Sequence, residues 1–208
     1  PIESLLYHMD ANGVDKGVLI QHRGMYDNQY LIECTKRFQD RFAAVVIVDI
    51  IKSNAIATLE DWANRGARGI RLAPTDRSPG DDPLAIWRKA AELGLVVSSL
   101  GAVDEFANER FVSLVSELSD LTIVIEHLAG VKLDEEQLYT EFNKVLELSN
   151  LPNTYIKVGG LGEIGTRPGI LGNKSSFDNI PPAIDMAYSK FGPERMMWGS
   201  DFPPVSNR

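Results

Sequence analysis

Thr122-Ile-Val-Ile-Glu126-His127-Leu-Ala-Gly130 is a run of β-branched residues that ends abruptly in a carboxylate and an imidazole before a glycine. β-Branched side chains fit a pleated surface, and a run with no polar alternation suits a strand buried on both faces, as in a parallel sheet covered by helices. Six more runs of this kind recur: Gly17 to Gln21, Phe42 to Val48, Gly69 to Leu72, Leu95 to Ser99, Thr154 to Val158 and Met196 to Gly199. Amphipathic stretches separate them. Asp27 to Gln39, Lys52 to Gly66, Pro83 to Gly94, Asp104 to Leu118, Asp134 to Leu148 and Pro181 to Phe191 carry apolar residues at helical spacing. Asp82-Pro83 reads as a helix cap followed by the first helical residue, and Gly66 and Gly94 read as helix stops.

Strict alternation of strand and helix predicts an α/β protein, either an open sheet or a closed (β/α)8 TIM barrel. The count favours the barrel. Ile2 to Asn12 reads as a helix, six strand–helix units follow, and a final strand closes the series. That is an eight-stranded barrel without its strand 1 and last helix. We therefore expect residues 1–208 to be a single barrel domain, incomplete at both ends, since such barrels typically need about 250 residues. A seven-stranded open sheet is the alternative.

Composition narrows the function classes. The chain is 44% hydrophobic and 24% charged, and its longest apolar run, Ala43 to Ile51, is interrupted by Asp49, well short of a membrane span of about 18 residues. The 21 basic and 29 acidic residues give a net charge of −8, which opposes nucleic acid and anionic lipid. One cysteine, Cys34, forms no internal disulfide, so a cytoplasmic location is expected; no charged leader precedes an apolar stretch, and both ends read as cut. A small-molecule substrate fits these properties, and they leave room for a homo-oligomer.

In a barrel, reactive groups stand where strands end. Here the strand ends supply Gln21-His22-Arg23, Arg71, Ser98-Ser99, Glu126-His127, Lys157 and Ser200-Asp201. His127 has the chemistry to ligate a metal or exchange a proton near neutral pH. Asp201, ending an apolar strand, is suited to act as a base. Arg71 offers a fork for a substrate carboxylate, with His22 and Ser99 as further substrate contacts. Each has a plainer reading: a packed histidine for His127, a turn cap for Asp201, a structural ion pair for Arg71, an exposed loop histidine for His22. His8 and Cys34 read as packing or surface groups.

Gly160-Leu-Gly162-Glu-Ile-Gly165 matches the dinucleotide fingerprint, but Thr166-Arg-Pro168-Gly169 breaks the helix that would have to follow, so the glycines read as part of a long loop from Gly159 to Asn179. No nucleophile elbow, phosphate-loop lysine motif, cysteine pair or His-Glu-x-x-His is present.

Val124-Ile-Glu-His127-Leu-Ala-Gly130 together with Arg195-Met-Met-Trp-Gly-Ser-Asp201-Phe-Pro203 resembles the amidohydrolase-related (amidohydrolase 2) family of the amidohydrolase superfamily. Met9 to Gln21, Tyr26 to Tyr30 and Gly66 to Leu72 extend the likeness over nearly all of the chain, and Asp27-Asn28-x-Tyr30 points to the sugar-lactone and dicarboxylate-lactone hydrolases. The resemblance implies a distorted (β/α)8 barrel. It also implies metal ligands from a His-x-His on strand 1, histidines ending strands 5 and 6, and an aspartate ending strand 8. His127 and Asp201 match the last two, while Ser98 or Ser99 stands where the strand-5 histidine is expected. One divalent ion, zinc first, and a metal-independent site are thus both open.

The expected function is hydrolysis of a small lactone or related cyclic ester or amide. Asp201 is the general base, and His127 orients water or ligates a metal. The alternatives are a metal-dependent non-oxidative decarboxylase, and a catalytically inactive barrel acting as a binding or structural subunit.

Overall fold

The computed structural model describes residues 2–131, 136–159 and 182–202. They fall into two compact units, Pro1–Ser98 with Asp120–Thr122, and Ser99–Ser119 with Ile123–Arg208. The long glycine-rich loop expected after the sixth strand lies outside the described residues, apart from Gly159.

The first unit opens with helix α1 (Ile2–Ala11) and continues as β1 (Gly17–Ile20), α2 (Gln29–Arg37), β2 (Phe42–Val46), α3 (Ala55–Asn64), β3 (Gly69–Leu72), α4 (Ala85–Glu92) and β4 (Val96–Ser99), whose last residue belongs to the second unit. Gly17 to Ile20 pair in parallel with Phe42 to Val45, and Val45 and Val46 with Gly69 and Ile70. Ile2, Met9, Cys34 and Phe42 form one apolar cluster beneath α1. Gly66 and Gly94 end their helices with φ of +112° and +63°, the left-handed backbone that glycine adopts without a Cβ clash. The start of α4 differs from the expected cap. Asp82 Oδ1 accepts from Leu84 N at 3.0 Å and makes a turn, so the helix begins two residues past Pro83, at Ala85.

The second unit carries α5 (Val103–Phe106), α6 (Glu109–Glu117), β5 (Ile123–Ile125), α7 (Glu136–Leu146), β6 (Thr154–Val158), α8 (Ala183–Phe191) and β7 (Met196–Trp198). The helix expected from Asp104 to Leu118 is two. Asn108 adopts extended backbone, and its Oδ1 caps Arg110 N at 2.9 Å, which restarts the helix. Ile123 to Ile125 pair in parallel with Thr154 to Ile156, and Ile156 to Val158 with Met196 to Trp198. Phe106, Phe111 and Phe142 are sealed in the interior.

The sheet order follows the chain from β1 to β7 without reversal. Doubly wound open sheets reverse direction at a switch point, so this winding is that of a β/α barrel. Burial on both faces holds for the inner strands. Val18 of β1 and Trp198 of β7, on the first and last strands of the sheet order, depart from it at 58% and 66% exposed.

Candidate active site

In the first unit, the end of β1 is organised by side chains that bond to backbone. Gln21 is buried; its Nε2 donates to Asp27 O at 2.6 Å and its Oε1 accepts from His22 N at 2.9 Å. Asn28 is fully buried and clamps the end of β2: Nδ2 donates to Ile47 O at 2.9 Å and Oδ1 accepts from Ile47 N at 3.1 Å. Tyr30 OH accepts from Ile2 N at 2.9 Å. The Asp27-Asn28-x-Tyr30 signature is thus a scaffold that ties α1 and the loop after β1 to β2.

His22 is exposed on that loop, with Nδ1 3.0 Å from Arg23 O. Arg71, half-buried at the end of β3, donates from Nη1 to Gln21 O at 3.0 Å, which holds its guanidinium across to the end of β1. Val96 N donates to Arg68 O at 3.1 Å, a register that places Ser98 level with Arg71 on the same face of the sheet.

Ser99, one residue on, points to the opposite face. In the second unit Glu126 N donates to Ser99 O at 2.9 Å, which sets Ser99 level with Ile125, itself paired with Ile156. Both isoleucines are fully buried, and Ser99 Oγ is buried among them with no hydrogen-bond partner among the described residues. Ser98, not Ser99, therefore shares a face with Arg71, a parity that two adjacent serines conceal in the sequence.

The other face of β5 and β6 holds the densest polar group. The register sets Glu126 directly across from Lys157, and Nζ lies 3.1 Å from Oε1. Glu126 is fully buried and Lys157 is 9% exposed. The second carboxylate oxygen, Oε2, is 3.8 Å from His127 Nε2. Gly199 lies alongside: a Cβ there would stand 2.6 Å from Lys157 Cδ and 3.1 Å from Cγ, so the lysine stem lies across bare backbone. Gly199 N donates to Val158 O at 2.9 Å, and Asp201, half-buried, follows two residues later with φ of +47°.

His127 itself begins a left-handed turn. His127, Leu128 and Ala129 have φ of 49°, 49° and 58° before Gly130 at 66°. Three non-glycine residues in that region cost about 1–2 kcal/mol each. The turn is held by Ala129 N donating to Glu126 O at 2.9 Å and Val131 N to Leu128 O at 3.2 Å. Gly130 packs so closely that a Cβ would come 3.0 Å from Gly101 O. Strain of this kind collects where a side chain must be aimed, and here it belongs to the residue that carries the imidazole.

An amidohydrolase family model matches residues 1–208. The chain belongs to the amidohydrolase family. It is 28% identical over 213 residues to the 4-sulfomuconolactone hydrolase of Rhizobium radiobacter, covering 98% of this chain and 66% of that protein. It is 26% identical over 198 residues to the L-fucono-1,5-lactonase of Burkholderia ambifaria, covering 92% of this chain and 66% of that protein. The chain thus spans 66% of the length of each of these curated relatives. A crystal structure of an amidohydrolase from Burkholderia multivorans with bound zinc superposes with a TM-score of 0.75 at 22% identity, over 97% of this chain and 73% of that one. The barrel fold expected from the strand count is the fold of these amidohydrolases, and the likeness to the lactone-hydrolysing branch holds.

Catalytic zinc takes three protein ligands plus water, and among the described residues no three His, Cys, Asp or Glu side chains converge. His127 and Asp201 are the two expected donors, and Ser98 stands where an imidazole would point to the Arg71 face. No helix of the described residues is long and apolar enough to cross a membrane.

Proposed function

We propose that the protein carrying this chain hydrolyses a small lactone, with Asp201 as general base. The observation that supports this best is that two curated relatives named for different lactones, a sulfomuconolactone and a fucono-1,5-lactone, both match over more than nine-tenths of the chain. The residues have the chemistry the reaction needs. Asp201 takes a proton from water as the oxygen attacks the ring carbonyl, and the carbonyl π electrons move to oxygen. His127 donates a hydrogen bond to that oxygen or to the attacking water. When the tetrahedral intermediate collapses, the ring C–O bond breaks and the alkoxide recovers the proton from Asp201, leaving a hydroxy acid. Proton transfer by a positioned group contributes typically 10²–10⁴-fold.

Arg71 is the substrate-carboxylate contact in this reading, with Ser98 level with it and His22 on the neighbouring loop. Ser99 serves as packing. His127 and Asp201 are the residues of this chain that would hold a divalent ion, which would activate water or polarise the ring carbonyl; no step above is routed through it. Substrate class is small-molecule, and a homo-oligomer and a cytoplasmic location are part of the same proposal.

Presenting a panel of five- and six-membered lactones to the whole protein, with proton release followed by an indicator and carbon dioxide by coupled assay, tests the reading. Ring opening without carbon dioxide supports it. Carbon dioxide release from a cyclic carboxylic acid with no lactone opened points to decarboxylation instead, and silence on both substrate sets points to a binding subunit.

A further inference from the structure

We propose that Lys157 is a positioning residue, which acts through Glu126 and the bare backbone of Gly199 to hold His127 and Asp201 in place. Three strand ends meet in this arrangement. β6 contributes the lysine; β5 contributes the carboxylate 3.1 Å from it and the imidazole 3.8 Å from that carboxylate's other oxygen. β7 contributes Gly199, whose missing side chain makes room for the lysine stem two residues before Asp201.

Stability alone is a poor reason for such a pair. A carboxylate with no exposed surface and a lysine nine-tenths buried lose much of their hydration, and apolar residues of similar volume often hold a fold as well or better. What the pair supplies is direction. A carboxylate pinned on one oxygen has its second oxygen fixed in space, and that oxygen is the one beside the His127 ring. The ring also rides on a left-handed turn, so its backbone is held in a sparsely populated conformation that surrounding contacts must enforce. On the other side, the lysine methylenes lie on Gly199, so the position of the Asp201 segment and that of the lysine are mutually limited. One side chain thereby registers the proposed base against the imidazole.

The kinetic arm of the test rests on the lactonase reading; the spectroscopic arm does not. The chain has three histidines. Their ring Cε1–H resonances in the whole protein can be assigned at one fixed pH by comparison with His127→Gln. Lys157→Met and the apolar pair Glu126→Leu with Lys157→Met are then compared with the unaltered protein for melting temperature, ring resonances, kcat and KM. We expect the apolar pair to melt close to the unaltered protein. Its His127 resonance should nevertheless be displaced and its kcat lowered at least tenfold, with KM within twofold and the His8 and His22 resonances unmoved. A His127 resonance at its original position in a folded apolar pair, or kcat within twofold, overturns the proposal. If no lactone is opened by the unaltered protein, the lactonase reading fails, and the resonance alone decides on positioning. If the apolar pair does not fold, Gly199→Ala takes its place: it displaces the lysine stem without removing a charge, and an unmoved His127 resonance in that variant overturns the proposal equally.

Discussion

Gly199→Ala is the perturbation whose cost follows most directly from the structure. The added methyl would stand 2.6 Å from Lys157 Cδ, whereas carbon atoms in contact sit about 3.5–4.0 Å apart. The stem must therefore withdraw by about 1 Å, which strains the Lys157–Glu126 contact of 3.1 Å. Losing the pairing altogether would cost about 3–5 kcal/mol, which bounds the effect from above. In a chain of this size each kcal/mol lowers the melting temperature by about 2–4 °C, so a fall of up to about 20 °C is expected by calorimetry. Gly13→Ala is the control, because Gly13 has φ of +66° and nothing within 4 Å of a new Cβ; backbone strain alone should cost it about 1 kcal/mol. In a Lys157→Ala background the Gly199→Ala change should become nearly free, a coupling of roughly 2 kcal/mol or more. A loss no greater than that of Gly13→Ala, or additivity in the double variant, would refute the reasoning.

Other consequences can be measured independently. Asn28→Ala removes both bonds to the backbone of Ile47 inside the protein and should cost about 2–6 kcal/mol in denaturant unfolding, at roughly 1–3 kcal/mol for each buried group left without a partner. Ser99→Ala removes a buried hydroxyl that has no partner among the described residues, so it should leave stability unchanged or raise it by about 1 kcal/mol and leave KM for a lactone unchanged, while Ser98→Ala raises KM. Burial pushes the Cys34 thiol above its ordinary value of 9.0, so it should react slowly with a disulfide reagent at pH 8 and rapidly once the protein is unfolded. Because the unfolded thiol ionises first, the stability linked to this group is complete below pH 9.0 and declines as pH rises toward the folded value.

The strands were legible because the inner ones are buried on both faces, and such burial leaves β-branched runs such as Ile123–Ile125 with no alternation to misread. Their chain-order winding followed from the helices between them. His127 and Asp201 stood out as ionisable groups closing apolar runs. What could not be read is set by pairing. Whether Ser98 or Ser99 shares the Arg71 face depends on the offset of β4 against its neighbours, carried by bonds from Val96 to Arg68 and from Val97 to Thr122. The Glu126–Lys157 pair joins residues 31 apart and exists only through the β5–β6 register. Gly199 has no signature of its own, since its need for bare backbone comes from a lysine on another strand. The break between α5 and α6 was carried by one residue, Asn108, whose capping bond competes locally with helix continuation.

The central claim is that Asp201 takes the proton from water in lactone opening. The direct test is kcat of Asp201→Asn in the whole protein, on whichever lactone the unaltered protein opens, with folding checked by circular dichroism. A folded variant with kcat reduced by about 100-fold or more is the predicted result; a folded variant that opens the lactone at the original rate contradicts the account.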